Sequence, residues 1–176
     1  MEKLVKGIRN RSLHLTILGS GYVGLPTAAL FADAGFHVTA IDIKPEVVKA
    51  VNSGASPINE LGLNELISRN VQAARLKATL NSKALTQADA VIISVQTPID
   101  QNKKPNLSFL AKALEEVEKT IKKGTLVVVS STVPPGTMLG KVKPKLESLK
   151  NLKADVGFYL AYVPERIAPG KALKEF

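Results

Sequence analysis

Short, nearly unbroken apolar runs recur along this chain, and the segments between them carry apolar residues at helical spacing. Runs at residues 13–19, 36–42, 77–80, 88–95, 125–130 and 155–163 read as strands, most of them apolar on both faces. Helical spacing is expected over 22–34, 45–52, 63–74, 82–87 and 107–121, and over 137–149 with a break at Pro144. The helix at 107–121 has the clearest pattern. Leu107, Leu110, Leu114, Val117 and Ile121 share one face, while Glu115 with Lys119 and Glu118 with Lys122 stand four apart on the other. Gly35 and Gly124 mark helix ends, and Pro45 suits a first helical turn. Six strands alternating with helices predict an α/β domain with a doubly wound parallel sheet in the order 3-2-1-4-5-6.

The first strand runs into Gly19-Ser20-Gly21-Tyr22-Val23-Gly24, a G-x-G-x-x-G turn that opens an alanine-rich helix. In such a turn Gly19 permits the bend, Gly21 lets a pyrophosphate approach the backbone, and Gly24 lets helix and strand pack closely. Asp42 ends the second strand about 20 residues on, where a carboxylate accepts ribose hydroxyls. This is the Rossmann dinucleotide pattern. A carboxylate there repels a 2′-phosphate and so favours NAD over NADP; Lys44 either attracts that phosphate or simply starts a solvated helix. Thr97 and Thr132 fall at the carboxyl ends of two further strands, where such folds bind ligands, although both residues also suit helix caps.

Composition narrows the classes. The 176 residues include no cysteine, which excludes a disulfide framework, a thiolate metal site and a thiol nucleophile within them; no metal site is expected. Lys and Arg number 24 against 15 Asp and Glu, a formal charge of +9. The lysines are scattered over helix faces and only 5% of residues are aromatic, so the charge is read as suiting a small anion and not nucleic acid. No run is long enough to span a membrane and Met1 to Arg11 lacks an apolar signal core, so a soluble, cytoplasmic protein is expected. His14 and His37 beside strands, and Asp89, Asp100 and Asp155 at turns, read as structural.

Five motifs, in order and spacing, resemble the UDP-glucose/GDP-mannose dehydrogenase family across nearly the whole chain: Gly19 to Pro26, Ser56 to Leu63, Thr97-Pro98, Ser131 to Gly136 and Val163 to Gly170. The last, with Pro164-Glu165-Arg166 and Pro169-Gly170, resembles the branch that oxidises UDP-N-acetylhexosamines. Leu61 departs from the family, which usually has proline there. The resemblance implies oxidation of a sugar C6 alcohol to a carboxylate by two NAD in succession. A family cysteine captures the aldehyde, and water releases the product from a thioester, which splits a difficult oxidation into manageable steps. It also implies pyrophosphate contact by Gly19, Gly21, Tyr22, Val23 and Gly24, ribose contact by Asp42, and cofactor contact by Thr97 and Thr132. Thr132 and Glu165 match catalytic positions that orient water or handle protons, and Arg166 and Ile167 match a segment touching the nucleotide-sugar. Without the resemblance, Tyr22 has a packing-aromatic alternative, against which its place within the phosphate turn favours cofactor proximity, and Glu165 with Arg166 reads rather as a surface ion pair.

The family's cysteine, its catalytic lysine, the central helix and the nucleotide-sugar domain have no counterpart in these residues. The chain is therefore expected to be the single NAD-binding domain of such an enzyme, as a truncation or split product, binding NAD without turning over UDP-sugar; the full-length enzyme is expected to be a homodimer. A free-standing NAD-binding module and the first domain of another NAD-dependent oxidoreductase remain as alternatives.

Overall fold

The computed structural model describes residues 2–148, 152–166, 170 and 172–175. Strands β1 (His14–Leu18), β2 (His37–Ile41), β3 (Leu76–Thr79), β4 (Ala90–Ile93), β5 (Leu126–Val129) and β6 (Tyr159–Tyr162) form one sheet in the order β3-β2-β1-β4-β5-β6. Every neighbouring pair is parallel. Leu18 pairs with Ile41 on one side and Ile93 on the other, and Ile93 pairs with Val129, so these strands finish level. Their carboxyl-end loops therefore leave from one edge.

The helices are α1 (Glu2–Arg9), α2 (Gly24–Asp33), α3 (Pro45–Asn52), α4 (Leu63–Gln72), α5 (Ser108–Thr120), α6 (Lys143–Glu147) and α7 (Ala172–Glu175). All four residues of β4 are buried: Ala90 and Ile92 face a core that includes α2 and α4, while Val91 and Ile93 face one that includes α5 and α6. Burial on both faces explains the unbroken apolar runs. Ala28, Ala29 and Ala32 of α2 are wholly buried, and their small side chains bring that helix close to the sheet.

Several expectations need correction. The strand expected over 155–163 is confined to Tyr159–Tyr162, because Asp155 adopts φ 67° and Gly157 N donates to Lys153 O at 2.6 Å, forming a turn. The helix expected from 137 begins as a π turn, Met138–Val142, before α6. Pro144 offers no N–H to the carbonyl of Gly140, and the backbone widens one turn earlier. Residues 2–9, which lie before the first expected element, are helical, anchored through buried Leu4 and Gly7. Glu118 does not pair with Lys122 on an open face: it is 2% exposed and binds Lys145 Nζ at 2.9 Å, since α6 covers that side of α5. Glu116 takes Lys119 instead, and Lys122 lies 3.9 Å from Asp89.

Candidate dinucleotide site

Immediately beyond β1 the chain bends at Gly19, whose φ is 93° and whose N donates to Ile41 O at 2.9 Å. A Cβ there would sit 2.3 Å from Ser94 O, and one at Gly24 would sit 1.8 Å from Gly19 O. Both glycines are thus required by the protein's own packing. Gly21 differs: a Cβ added there meets nothing within 4 Å, and the residue is exposed. The protein leaves that space open, as a cradle for an approaching ligand does. Among the described residues the N–H groups of Gly21, Tyr22, Val23 and Gly24 have no acceptor, and α2 has neither a side-chain cap nor an acidic residue in its first turn. Unpaired donors and the positive end of the helix dipole suit a pyrophosphate, so the turn fits a dinucleotide.

Asp42, half-buried past β2, is held at both oxygens. Ser20 N donates to Oδ2 at 2.8 Å, and Lys44 N donates to Oδ1 at 3.0 Å. Each oxygen keeps a further lone pair, so the clamped carboxylate can still accept from vicinal hydroxyls. Lys44 is exposed at the start of α3, and among the described residues it makes no ion pair with Asp42. The Ser20 hydroxyl is buried and without a partner among the described residues.

Further along the same edge, Thr97 Oγ1 donates to Thr132 O at 2.7 Å. Neither threonine caps a helix: α5 starts at Ser108, and the π turn has no side-chain cap. Glu165, half-buried after β6, has its N 3.4 Å from Ser130 O, and Arg166 is exposed; among the described residues the two form no ion pair. Tyr22 is 53% exposed and so is not packed into the core of this domain, and Val23 sits half-buried at the N-cap of α2. Ile167 lies outside the described residues.

These stretches follow the strand order β2, β1, β4, β5, β6, so Asp42 stands at one end of the row and Glu165 at the other. Ser131 and Tyr162, which join neighbouring loops here, were not singled out by sequence reasoning; a serine or tyrosine at a strand end carries no sign of its partner. His14 is structural, its Nε2 2.8 Å from Thr39 Oγ1, and burial, reinforced by Lys77, lowers its pKa. Asp100 Oδ1 accepts from the N atoms of Asn102 and Lys104, which closes a turn. A concavity of about 320 Å³ under α1, lined by Lys3, Lys6, Asn10 and Asp89, lies at the opposite edge, where the strands begin. Among the described residues no helix is long and apolar enough to cross a membrane.

Residues 13–176 match the UDP-glucose/GDP-mannose dehydrogenase family, NAD binding domain. The UDP-N-acetyl-D-mannosamine dehydrogenase of Pyrococcus horikoshii is 39% identical over 163 residues, 93% of this chain and 38% of that protein. The GDP-mannose dehydrogenase of Pseudomonas aeruginosa, solved as a ternary complex, superposes with a TM-score of 0.87 at 33% identity, over 91% of this chain and 38% of that one. The NDP-N-acetyl-D-galactosaminuronic acid dehydrogenase of Methanosarcina mazei Go1 gives a TM-score of 0.87 at 38% identity, over 99% of this chain and 39% of that one. This chain thus spans about 38% of the length of such relatives. With the open glycine cradle and the clamped carboxylate in place, the match of 164 consecutive positions leaves one assignment: the chain belongs to the UDP-glucose/GDP-mannose dehydrogenase family, of which it is the NAD-binding domain.

Proposed function

We propose that this chain is the NAD-holding part of a nucleotide-sugar 6-dehydrogenase that oxidises the C6 alcohol of a UDP-N-acetylhexosamine to a carboxylate. The observation that carries this reading is the row of strand ends, which sets the cradle of unpaired N–H groups and Asp42 on one side and Thr132 and Glu165 on the other. Relatives named for UDP-N-acetyl-D-mannosamine support the sugar class. NAD, when bound, supplies the hydride acceptor. The turn at Gly19, Gly21, Tyr22, Val23 and Gly24 holds the pyrophosphate, Asp42 takes the ribose hydroxyls, and Thr97 and Thr132 border the cofactor. Thr132 and Glu165 orient water or handle the alcohol proton, and Arg166 and Ile167 approach the nucleotide-sugar.

The absence of cysteine from the 176 residues and the 38% coverage of relatives support a domain plan in which residues 1–176 are the NAD-binding domain. A central helix, a nucleotide-sugar domain and the nucleophile then lie outside them. A cytoplasmic homodimer for the whole protein completes the reading, to be checked by cell fractionation and light scattering.

Titrating the purified chain with NADH and NADPH, followed by nicotinamide fluorescence, tests the proposal directly. NADH is expected to bind and NADPH to bind at least about tenfold more weakly, because a 2′-phosphate faces the Asp42 carboxylate. UDP-N-acetylmannosamine with NAD is expected to give no sustained NADH with this chain and steady NADH with the whole protein. Failure of NADH to bind overturns the cofactor assignment, and turnover by the isolated chain overturns the domain plan.

A further inference from the structure

The β4–β5 register ends at Ile93 and Val129, and past the main-chain bonds from Ser130 N and Ser131 N to Ile93 O (2.9 and 3.3 Å) the loops carrying Thr97 and Thr132 are joined by side chains. Ser131, 6% exposed, closes the gap: its Oγ accepts from Val95 N at 2.9 Å and donates to Val95 O at 2.7 Å. One hydroxyl thus satisfies both main-chain groups of a residue that has left the ladder. Two positions further out, Thr97 Oγ1 donates to Thr132 O at 2.7 Å. On the far side, Val133 N donates to Tyr162 Oη at 3.3 Å. The main chain around Thr132 is therefore fixed from both flanks, while the Thr132 hydroxyl has no partner among the described residues and its side chain is exposed.

We propose that Ser131 is a positioning residue, which sets the spacing and orientation of the Thr97 and Thr132 loops at the NAD crevice; this rests on the site reading above. Ser131 touches neither cofactor nor substrate in this role. It acts by pinning Val95, the residue from which the Thr97 loop departs. Without its hydroxyl, Val95 loses both partners and the loop gains states that must be re-ordered when a ligand binds.

Hydrogen exchange and NADH titration of the wild type, Ser131→Ala and Ser131→Thr test the idea. In the wild type, Val95 N–H should exchange as slowly as ladder amides despite lying outside the ladder. Ser131→Ala should speed Val95 exchange, leave Ile93 and Val129 protected, and weaken NADH binding about tenfold. Ser131→Thr keeps the hydroxyl and should restore both readouts, which a purely space-filling role for Ser131 would not produce. Unchanged NADH affinity in a folded Ser131→Ala overturns the proposal. Should that variant not fold, the wild-type exchange of Val95 decides: a rate typical of an open loop overturns it, and a slow rate upholds it. Absence of NADH binding by the wild type strikes instead at the site reading.

Discussion

The glycines of one motif hold their places for two different physical reasons, packing at Gly19 and Gly24 and open space at Gly21, and this separates folding from binding residue by residue. Gly24 is fixed by contact, since a Cβ would meet Gly19 O at 1.8 Å. Gly24→Ala is expected to destabilise the fold by about 3 kcal/mol, lowering the melting temperature by roughly 6–12 °C in a chain of this size. Gly21 meets nothing. Gly21→Ala should leave the melting temperature unchanged while weakening NADH binding at least about tenfold, because the added methyl occupies the side a pyrophosphate approaches. Paired calorimetry and NADH titration of the two variants check both outcomes. Asp42 is clamped by Ser20 N and Lys44 N and cannot swing away. Asp42→Asn should weaken NADH binding about tenfold and narrow its margin over NADPH, read in the same titration.

Among the elements, the contact between α5 and α6 is where an ionisable group has most to do. Burial opposes the charge on Glu118, yet the Ser148 hydroxyl and the Lys145 ammonium outweigh it and hold its carboxyl below the usual range. A folded-state value below the unfolded one means that the charged pair stabilises the fold above about pH 4.5, and that this contribution is lost as acid brings the pH down through the lower folded value. Glu118→Gln is therefore expected to cost about 1–2 kcal/mol at pH 7 and progressively less towards pH 3. Urea unfolding of both proteins across that range measures the difference. The π turn ahead of α6 has a local cause in Pro144, so it marks a backbone constraint and not a separate site.

For the whole molecule, ligand binding and stability are one measurement. A ligand that binds only the folded chain adds about 2.7 kcal/mol at a hundredfold excess over its Kd, roughly 5–11 °C of melting temperature at this size. NAD is expected to produce that rise, and NADP at equal concentration to produce little. With a formal charge of +9 the chain attracts an anionic dinucleotide, so added salt should weaken NADH binding beyond what the ordered contacts alone predict. Repeating the NADH titration from low to high salt reads this out.

The sequence by itself determined the strand order, since apolar runs spaced by amphipathic helices allow few right-handed windings, and it placed Gly19 to Gly24 and Asp42 at one edge. Those features are local: a turn, a helix start and a strand end each carry their chemistry within a few residues. What only the tertiary structure decided is every contact between distant segments. Glu118 looked solvated until α6 covered it, Thr97 and Thr132 suited caps until they were found bonded to each other, and Ser131 gave no sign that it holds Val95. Periodicity reports which face of an element is buried, but not which neighbour buries it. A hydroxyl's partner 36 positions away is fixed by how two strands end side by side, a relation that appears only when the sheet is assembled.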